Sequence, residues 1–242
     1  MTPMLRSILA CLLLSVPASA RAEGFSQPQR AEIVQVLRDA LHTDPSILRD
    51  AIAALQQDDA ARQDAAARSL VSAQHAALSD PADPAAGNPA GDVTVVEFYD
   101  TRCPYCRRMI PTLAALLLAD PGVRLIYKDL PILGPASTME SQALLAAQRQ
   151  GGYTRLQDAL MRSTGQPTPD SIRTEADRQG LDGDRLLRDM ADPAIKARLD
   201  ANIQLAQTLH IEGTPALIVG QQMIPGAVNL ADLRKAVADA RH

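Results

Sequence analysis

From Val93 the apolar positions first alternate and then run on through Val95, Val96, Phe98 and Tyr99 to Asp100. That period predicts a strand. Beyond Cys103 and Cys106 the apolar spacing changes: Met109, Leu113, Leu116 and Leu117 mark one face of a helix. Pro111 lies in its early turns and, having no N–H to donate, predicts a kink. Asp120-Pro121-Gly122 ends that helix, and Val123 to Tyr127 reads as a second strand. Strand, helix and strand make a βαβ unit with a parallel pair.

On the N-terminal side, residues 26–78 are patterned as helix but carry no core of their own. Ile33, Leu37, Ala40 and Leu41 recur at helical spacing, and Thr43-Asp44-Pro45 supplies a cap and a proline that start a second helix. Its apolar face is Ile47, Leu48, Ala51, Ile52 and Leu55, after which the stripe thins. Asp58 with Arg62, and Asp64 with Arg68, are spaced to pair along it. Strong helical propensity with little apolar surface predicts an arm, residues 21–78, that buries its stripe by self-association; a fraying spacer is the alternative. Residues 79–91 hold three prolines and two glycines, break both periods and read as a linker.

After the βαβ unit the chain is helical over about 137–210, in segments near 139–150, 153–161, 170–179, 184–190 and 193–209. This reads as a helical subdomain inserted before the β structure resumes. Ala216 to Val219 is the next strand, Met223-Ile224 pairs back as a hairpin, and a last helix covers about 230–240. The fold class expected is α/β, preceded by the all-α arm, with residues 92–242 as the catalytic domain.

Composition narrows the function. The 242 residues are 46% hydrophobic and 21% charged, with a net charge of −4 and no basic block, which argues against nucleic acid as a partner. At the N-terminus, Arg6, the apolar stretch Ile8 to Val16 and Ala18-Ser19-Ala20 form an export-signal pattern, residues 1–20, with cleavage after Ala20. The apolar run falls short of the roughly 20 residues that cross a bilayer. Cleavage removes Cys11, so Cys103 and Cys106 become the only thiols of an exported chain, in a compartment where disulfides persist.

Two cysteines three apart at the start of a helix have a specific chemistry. The helix dipole and the unpaired N–H groups there stabilise a thiolate on the first, and the second is placed to close a disulfide on it. Beside a βαβ unit this is the thioredoxin-like redox signature. A zinc site would need more ligands than the scattered His42, His75, His210 and His242 provide, so no metal and no cofactor are expected. Cu(I) on Cys103, Cys106 and Met109 is the softer variant.

Glu97-Phe98-Tyr99-Asp100 before Cys103-Pro104-Tyr105-Cys106, the long helical insertion, and Gly213-Thr214-Pro215-Ala216 before a hairpin together resemble the DsbA-like thioredoxin-fold proteins of the bacterial periplasm. The helical arm and the lead-in Gly87 to Asp92 look most like the branch called Com1-like or ScsC-like. The resemblance implies a thioredoxin fold, with Cys103 as an exposed nucleophile and Cys106 as the buried resolving thiol. It further implies Pro104 and Tyr105 as tuning residues, Thr214-Pro215 as a cis-proline loop that meets substrate, and Glu97 as a buried acid serving the resolving thiol. Tyr105 stands where DsbA itself has a histidine, which removes a cationic stabiliser of the thiolate. Lys128, Arg102, Arg107 and Arg108 read as solvated charges.

The function expected is therefore that of a periplasmic thiol-disulfide oxidoreductase, leaning to disulfide isomerase or reductase. Its partners would be cysteine-containing exported proteins, a membrane redox partner and further copies of itself through residues 26–78. A disulfide-donating oxidase, a copper-binding or copper-tolerance protein, and an assembly module acting through the arm are the alternatives.

Overall fold

The computed structural model describes residues 24–241; the export-signal pattern and Cys11 lie outside them. Contacts divide the chain into two compact units, one ending at Gln57 and the other beginning at Asp58.

In the first unit, helix α1 (Gln27–Thr43) starts from a capping box in which Ser26 and Gln29 bond each other's backbone. Helix α2 (Ser46–Ala73) begins after Pro45 and runs past the boundary. Ile33, Val34, Val36, Leu37, Leu41, Ile47, Leu48, Ile52 and Leu55 are all exposed. Of the two ion pairs the spacing predicts on α2, Asp58–Arg62 forms at 2.7 Å, and Asp64–Arg68 is absent among the described residues.

The second unit contains the end of α2, a short helix α3 (His75–Leu78) and a five-stranded sheet. Its strands are β1 (Ala85–Gly87), β2 (Val93–Tyr99), β3 (Val123–Asp129), β4 (Ala216–Val219) and β5 (Gln222–Pro225), in the order β1-β3-β2-β4-β5. Only β2 and β3 are parallel, joined by helix α4 (Pro104–Ala119) as the βαβ pattern predicts. The helix continues through Pro111 without a break. The proline is on the exposed side, where the Arg107 carbonyl it leaves without a donor can meet water.

The linker carries more structure than its composition suggests, because β1 lies within it and pairs with β3, Ala86 opposite Leu125. Gly87 permits this. Its φ is +78°, and a Cβ there would fall 2.5 Å from the Val123 carbonyl oxygen.

Between β3 and β4 come α5 (Pro135–Gln148), α6 (Tyr153–Arg162), α7 (Pro169–Arg178), α8 (Gly183–Met190) and α9 (Pro193–Thr208), and α10 (Leu230–Asp239) closes the described chain. The sheet is buried on both faces. Val95, Tyr99, Leu125, Tyr127 and Leu217 point into the larger core with α4 and the insertion, while Val96, Phe98, Ile126 and Ile218 meet Leu205, Ala206 and Leu209 of α9. Val71 and Leu78, at the end of the predicted arm, belong to that second core.

Two buried polar clusters hold the insertion to the sheet. The Asp129 carboxylate accepts hydrogen bonds from Tyr153 at 2.7 Å and Tyr99 at 3.2 Å, and Asn202 donates to its backbone carbonyl at 3.1 Å. Burial pushes this carboxyl up to about 7 despite its two phenol donors. Lys128 is buried rather than solvated: its ammonium pairs with Asp83, which also accepts from Arg198 at 2.6 Å. Its position in a strand covered on both faces leaves that charge no route to water.

Candidate redox site

Strand β2 hands the chain to a turn, Asp100 to Arg102, that delivers Cys103. The turn is held from within by the buried Asp100 carboxylate, which accepts the N–H of Arg102 at 2.8 Å, the N–H of Leu133 at 3.0 Å and the hydroxyl of Ser137 at 2.8 Å. The Asp100 carbonyl takes the Cys103 N–H at 3.0 Å. Cys103 is the N-cap of α4 and Pro104 its first residue, where a missing N–H costs nothing.

Cys103 and Cys106 are both unbridged. Cys103 is not the exposed thiol the resemblance implies, being only 5% exposed, and Cys106 is 0% exposed. The cover over Cys103 comes from the loop before β4: its Sγ donates to the Thr214 carbonyl at 3.2 Å. The Thr214–Pro215 bond is cis, as the resemblance implies. Tyr105 is 56% exposed beside this cover, with the Arg108 guanidinium 4.3 Å from its ring centroid.

The two thiols are driven apart electrostatically. Burial pushes Cys103 up, but bonds from the Thr214 side chain and from the N–H groups of Cys106 and Tyr105 outweigh it and leave the thiol below its ordinary value. For Cys106, burial dominates and the nearby Glu97 adds to it, so this thiol is held well above the ordinary range. The first sulfur is thus the readier nucleophile and leaving group, and the second needs help to lose its proton.

Glu97 lines the same cavity as Cys106. Strand alternation sets it opposite Val96 and Phe98, but that face is covered by α4 and α6 rather than by water, and Glu97 is 3% exposed. It has no hydrogen-bond or ion-pair partner among the described residues. With Cys106 it lines a cavity of about 370 Å³ that is walled by Ile110, Leu113, Tyr127 and Met161 and reaches Arg155 and Asp158. Burial, and then the charge of Cys103, raise its carboxyl to about 8. A carboxyl in that range exchanges protons near neutral pH.

The fold therefore brings together Cys103, Cys106, Pro104, Tyr105, Glu97, Thr214 and Pro215. Sequence reasoning missed Asp100 as the builder of the turn, although its place at the strand end was visible. It also missed Glu140 on α5, which accepts the Thr101 hydroxyl at 2.6 Å; nothing local ties that residue to the cysteines. Met109 is fully buried in the larger core.

A family model described as DSBA-like thioredoxin domain matches residues 94–238, and one described as the copper resistance protein ScsC N-terminal domain matches residues 29–62. Among solved structures, a thioredoxin-like oxidoreductase from Silicibacter pomeroyi is 43% identical, covers 68% of this chain and 95% of its own, and superposes with a TM-score of 0.65. A linker-deletion mutant of Proteus mirabilis ScsC is 27% identical over 91% of this chain and 98% of its own, with a TM-score of 0.66. A periplasmic thioredoxin-like protein from Salmonella enterica serovar Typhimurium is 32% identical over 69% and 95%, with a TM-score of 0.61. The curated relatives are larger: the chain is 31% identical over 150 residues to the Na(+)/H(+) antiporter NhaA 3 of Salinispora tropica and spans 23% of its length. No helix among the described residues is long and apolar enough to cross a membrane. With the match to residues 94–238 enclosing the paired thiols and the sheet that carries them, the chain belongs to the DSBA-like thioredoxin domain family and has the fold of its thiol-disulfide oxidoreductases.

Proposed function

We propose that this protein is a periplasmic thiol-disulfide oxidoreductase that exchanges disulfides in exported proteins, working as an isomerase or reductase. The observation that carries the reading is the asymmetry of the thiols: Cys103 lowered at a helix start, Cys106 raised beside Glu97. The Cys103 thiolate attacks one sulfur of a client disulfide, forms a mixed disulfide and releases the other client sulfur as a thiolate. In isomerisation that thiolate, or another client thiol, attacks elsewhere and finally displaces Cys103, with no net electron transfer. In reduction Cys106 gives its proton to Glu97 in its ionised form, attacks the Cys103 sulfur and frees the second client thiol. The client gains two electrons, and the Cys103–Cys106 disulfide awaits an external dithiol reductant, the expected membrane redox partner.

Export rests on the N-terminal pattern of residues 1–20 and agrees with the periplasmic setting of the Salmonella relative. The direction of exchange rests on the exposed stripe of α1 and α2, which fits self-association and several sites acting together, and on Tyr105 in place of the histidine that would stabilise a thiolate further. The copper-resistance description attaches to residues 29–62, a stretch with no cysteine or methionine.

The test is trapping. A Cys106→Ala protein should accumulate Cys103-linked mixed disulfides with client proteins, and the intact protein should rescue a scrambled-disulfide substrate in the presence of reduced glutathione. Absence of both would reduce the pair to a structural bridge. Faster oxidation of reduced substrate than rescue of scrambled substrate would make the protein a disulfide donor instead.

A further inference from the structure

Glu140 is a buried carboxylate outside the cysteine motif, on the second turn of α5, and only 1% exposed. Its two oxygens serve the turn that carries Cys103. One accepts the Thr101 hydroxyl at 2.6 Å, and the other pairs with the Arg102 guanidinium at 3.4 Å. Arg102 in turn donates to the Gly165 carbonyl at 2.8 Å, between α6 and α7. Arg107, one residue after Cys106, donates from Nε to the Thr101 carbonyl at 3.2 Å and adds a second positive charge that acts on Glu140. A helical insertion remote in sequence thus grips the two residues that precede the nucleophile.

The arrangement does two things. It fixes the backbone from which Cys103 is hung, since Thr101 and Arg102 are each tied to the insertion. It also places a negative charge against the guanidinium of Arg102, the residue next to Cys103 in the chain, so that this charge acts on its surroundings as a largely neutralised pair. An unpaired guanidinium close to a thiol favours the thiolate and makes the disulfide more oxidising.

We propose that Glu140 is a positioning residue of the redox site, which ties the Thr101-Arg102 turn to the helical insertion and, by neutralising Arg102, restrains the oxidising strength of the Cys103–Cys106 pair. This rests on the thiol-disulfide reading above.

The test uses the full protein and two substitutions of opposite charge effect. Glu140→Gln keeps an oxygen for the Thr101 hydroxyl but removes the charge, and Arg102→Gln removes the partner and leaves the carboxylate. For the first, the equilibrium constant for oxidation of glutathione by the protein disulfide is expected to rise about threefold, with the thiolate absorbance of Cys103 persisting to lower pH. For the second, both are expected to move the other way. Shifts of the same sign in both proteins, or no shift in either, would overturn the proposal, because a purely structural role weakens the fold in both cases without reversing the electrostatics. Should Glu140→Gln fail to fold, Arg102→Gln with Arg102→Lys decides. Lysine is expected to restore the parent equilibrium, and its failure to do so overturns the charge argument. The absorbance needs no client, so this result stands apart from trapping: a protein could fail here and still trap clients, or show the shifts and trap none.

Discussion

The Sγ of Cys103 and the backbone carbonyl of Thr214, 111 residues apart in the chain, meet at 3.2 Å. A thiol that donates to a carbonyl is favoured in its protonated form, whereas the Thr214 side chain and the α4 N–H groups favour the thiolate, and the second influence wins. Thr214→Val keeps the carbonyl and deletes the hydroxyl. The Cys103 titration is expected to move upward, with slower attack on a model disulfide at neutral pH. Thiolate absorbance against pH reads the first, and stopped-flow exchange the second. An unchanged titration would place the stabilisation in the helix start alone.

Glu97 predicts both a rate and a stability profile. Its folded value of about 8 lies above its ordinary 4.5, so between those limits the folded state holds a proton that the unfolded state has lost. Stability from this group is full below about pH 4.5, declines as pH rises and levels off above about 8. The loss is at most several kcal/mol, at about 1.4 kcal/mol per pH unit. Glu97→Gln should flatten this profile in urea titrations at pH 5 and pH 8 and be the more stable protein at pH 8. It should also slow attack by Cys106 on a preformed mixed disulfide while leaving its formation at Cys103 nearly unchanged. Equal slowing of both steps would remove Glu97 from the resolving half of the reaction.

Lys128→Met removes one partner of a buried ion pair and leaves Asp83 with Arg198 alone. Removal of one member of such a pair costs about 3–5 kcal/mol. Arg198 retains part of the interaction, so the lower end is expected. A loss of unfolding free energy below about 0.5 kcal/mol in denaturant titrations would mean that water reaches the carboxylate.

The arm should be separable at Asp58 and not at Gly87. A protein that starts at Asp58 keeps Val71 and Leu78 in the core and sheds Ile33, Leu37, Ile47 and Leu48, which are exposed. It is expected to be monomeric by light scattering, to oxidise substrate as the parent does and to lose rescue of scrambled substrate. A start at Gly87 opens the second core and should lower the thermal midpoint. If the protein from Asp58 associates as the parent does, self-association lies elsewhere.

The elements that depend on local patterning were legible in the chain. Val93 to Tyr99, the cysteine helix and the five helices of the insertion lie within a few residues of their expected bounds, since each carries its own apolar period and punctuation. Strand β1 was not legible, because three residues, Ala-Ala-Gly, have no period and are strand only by pairing with β3. The burial of Cys103 and Lys128 was hidden for the same reason: what covers them is supplied by Thr214 and Asp83, far away in sequence. Glu97 was legible through resemblance alone, since alternation says which face it is on and not what covers that face.

The Tyr99, Asp129 and Tyr153 cluster joins β2, β3 and α6 through one acid with two phenol donors, and Tyr99 and Tyr153 also lie 2.6 Å apart, oxygen to oxygen. Loss of either hydroxyl therefore unsettles the other two groups together, and double-mutant cycles among the three should be strongly non-additive. The seam between sheet and insertion then gives way as a whole rather than group by group.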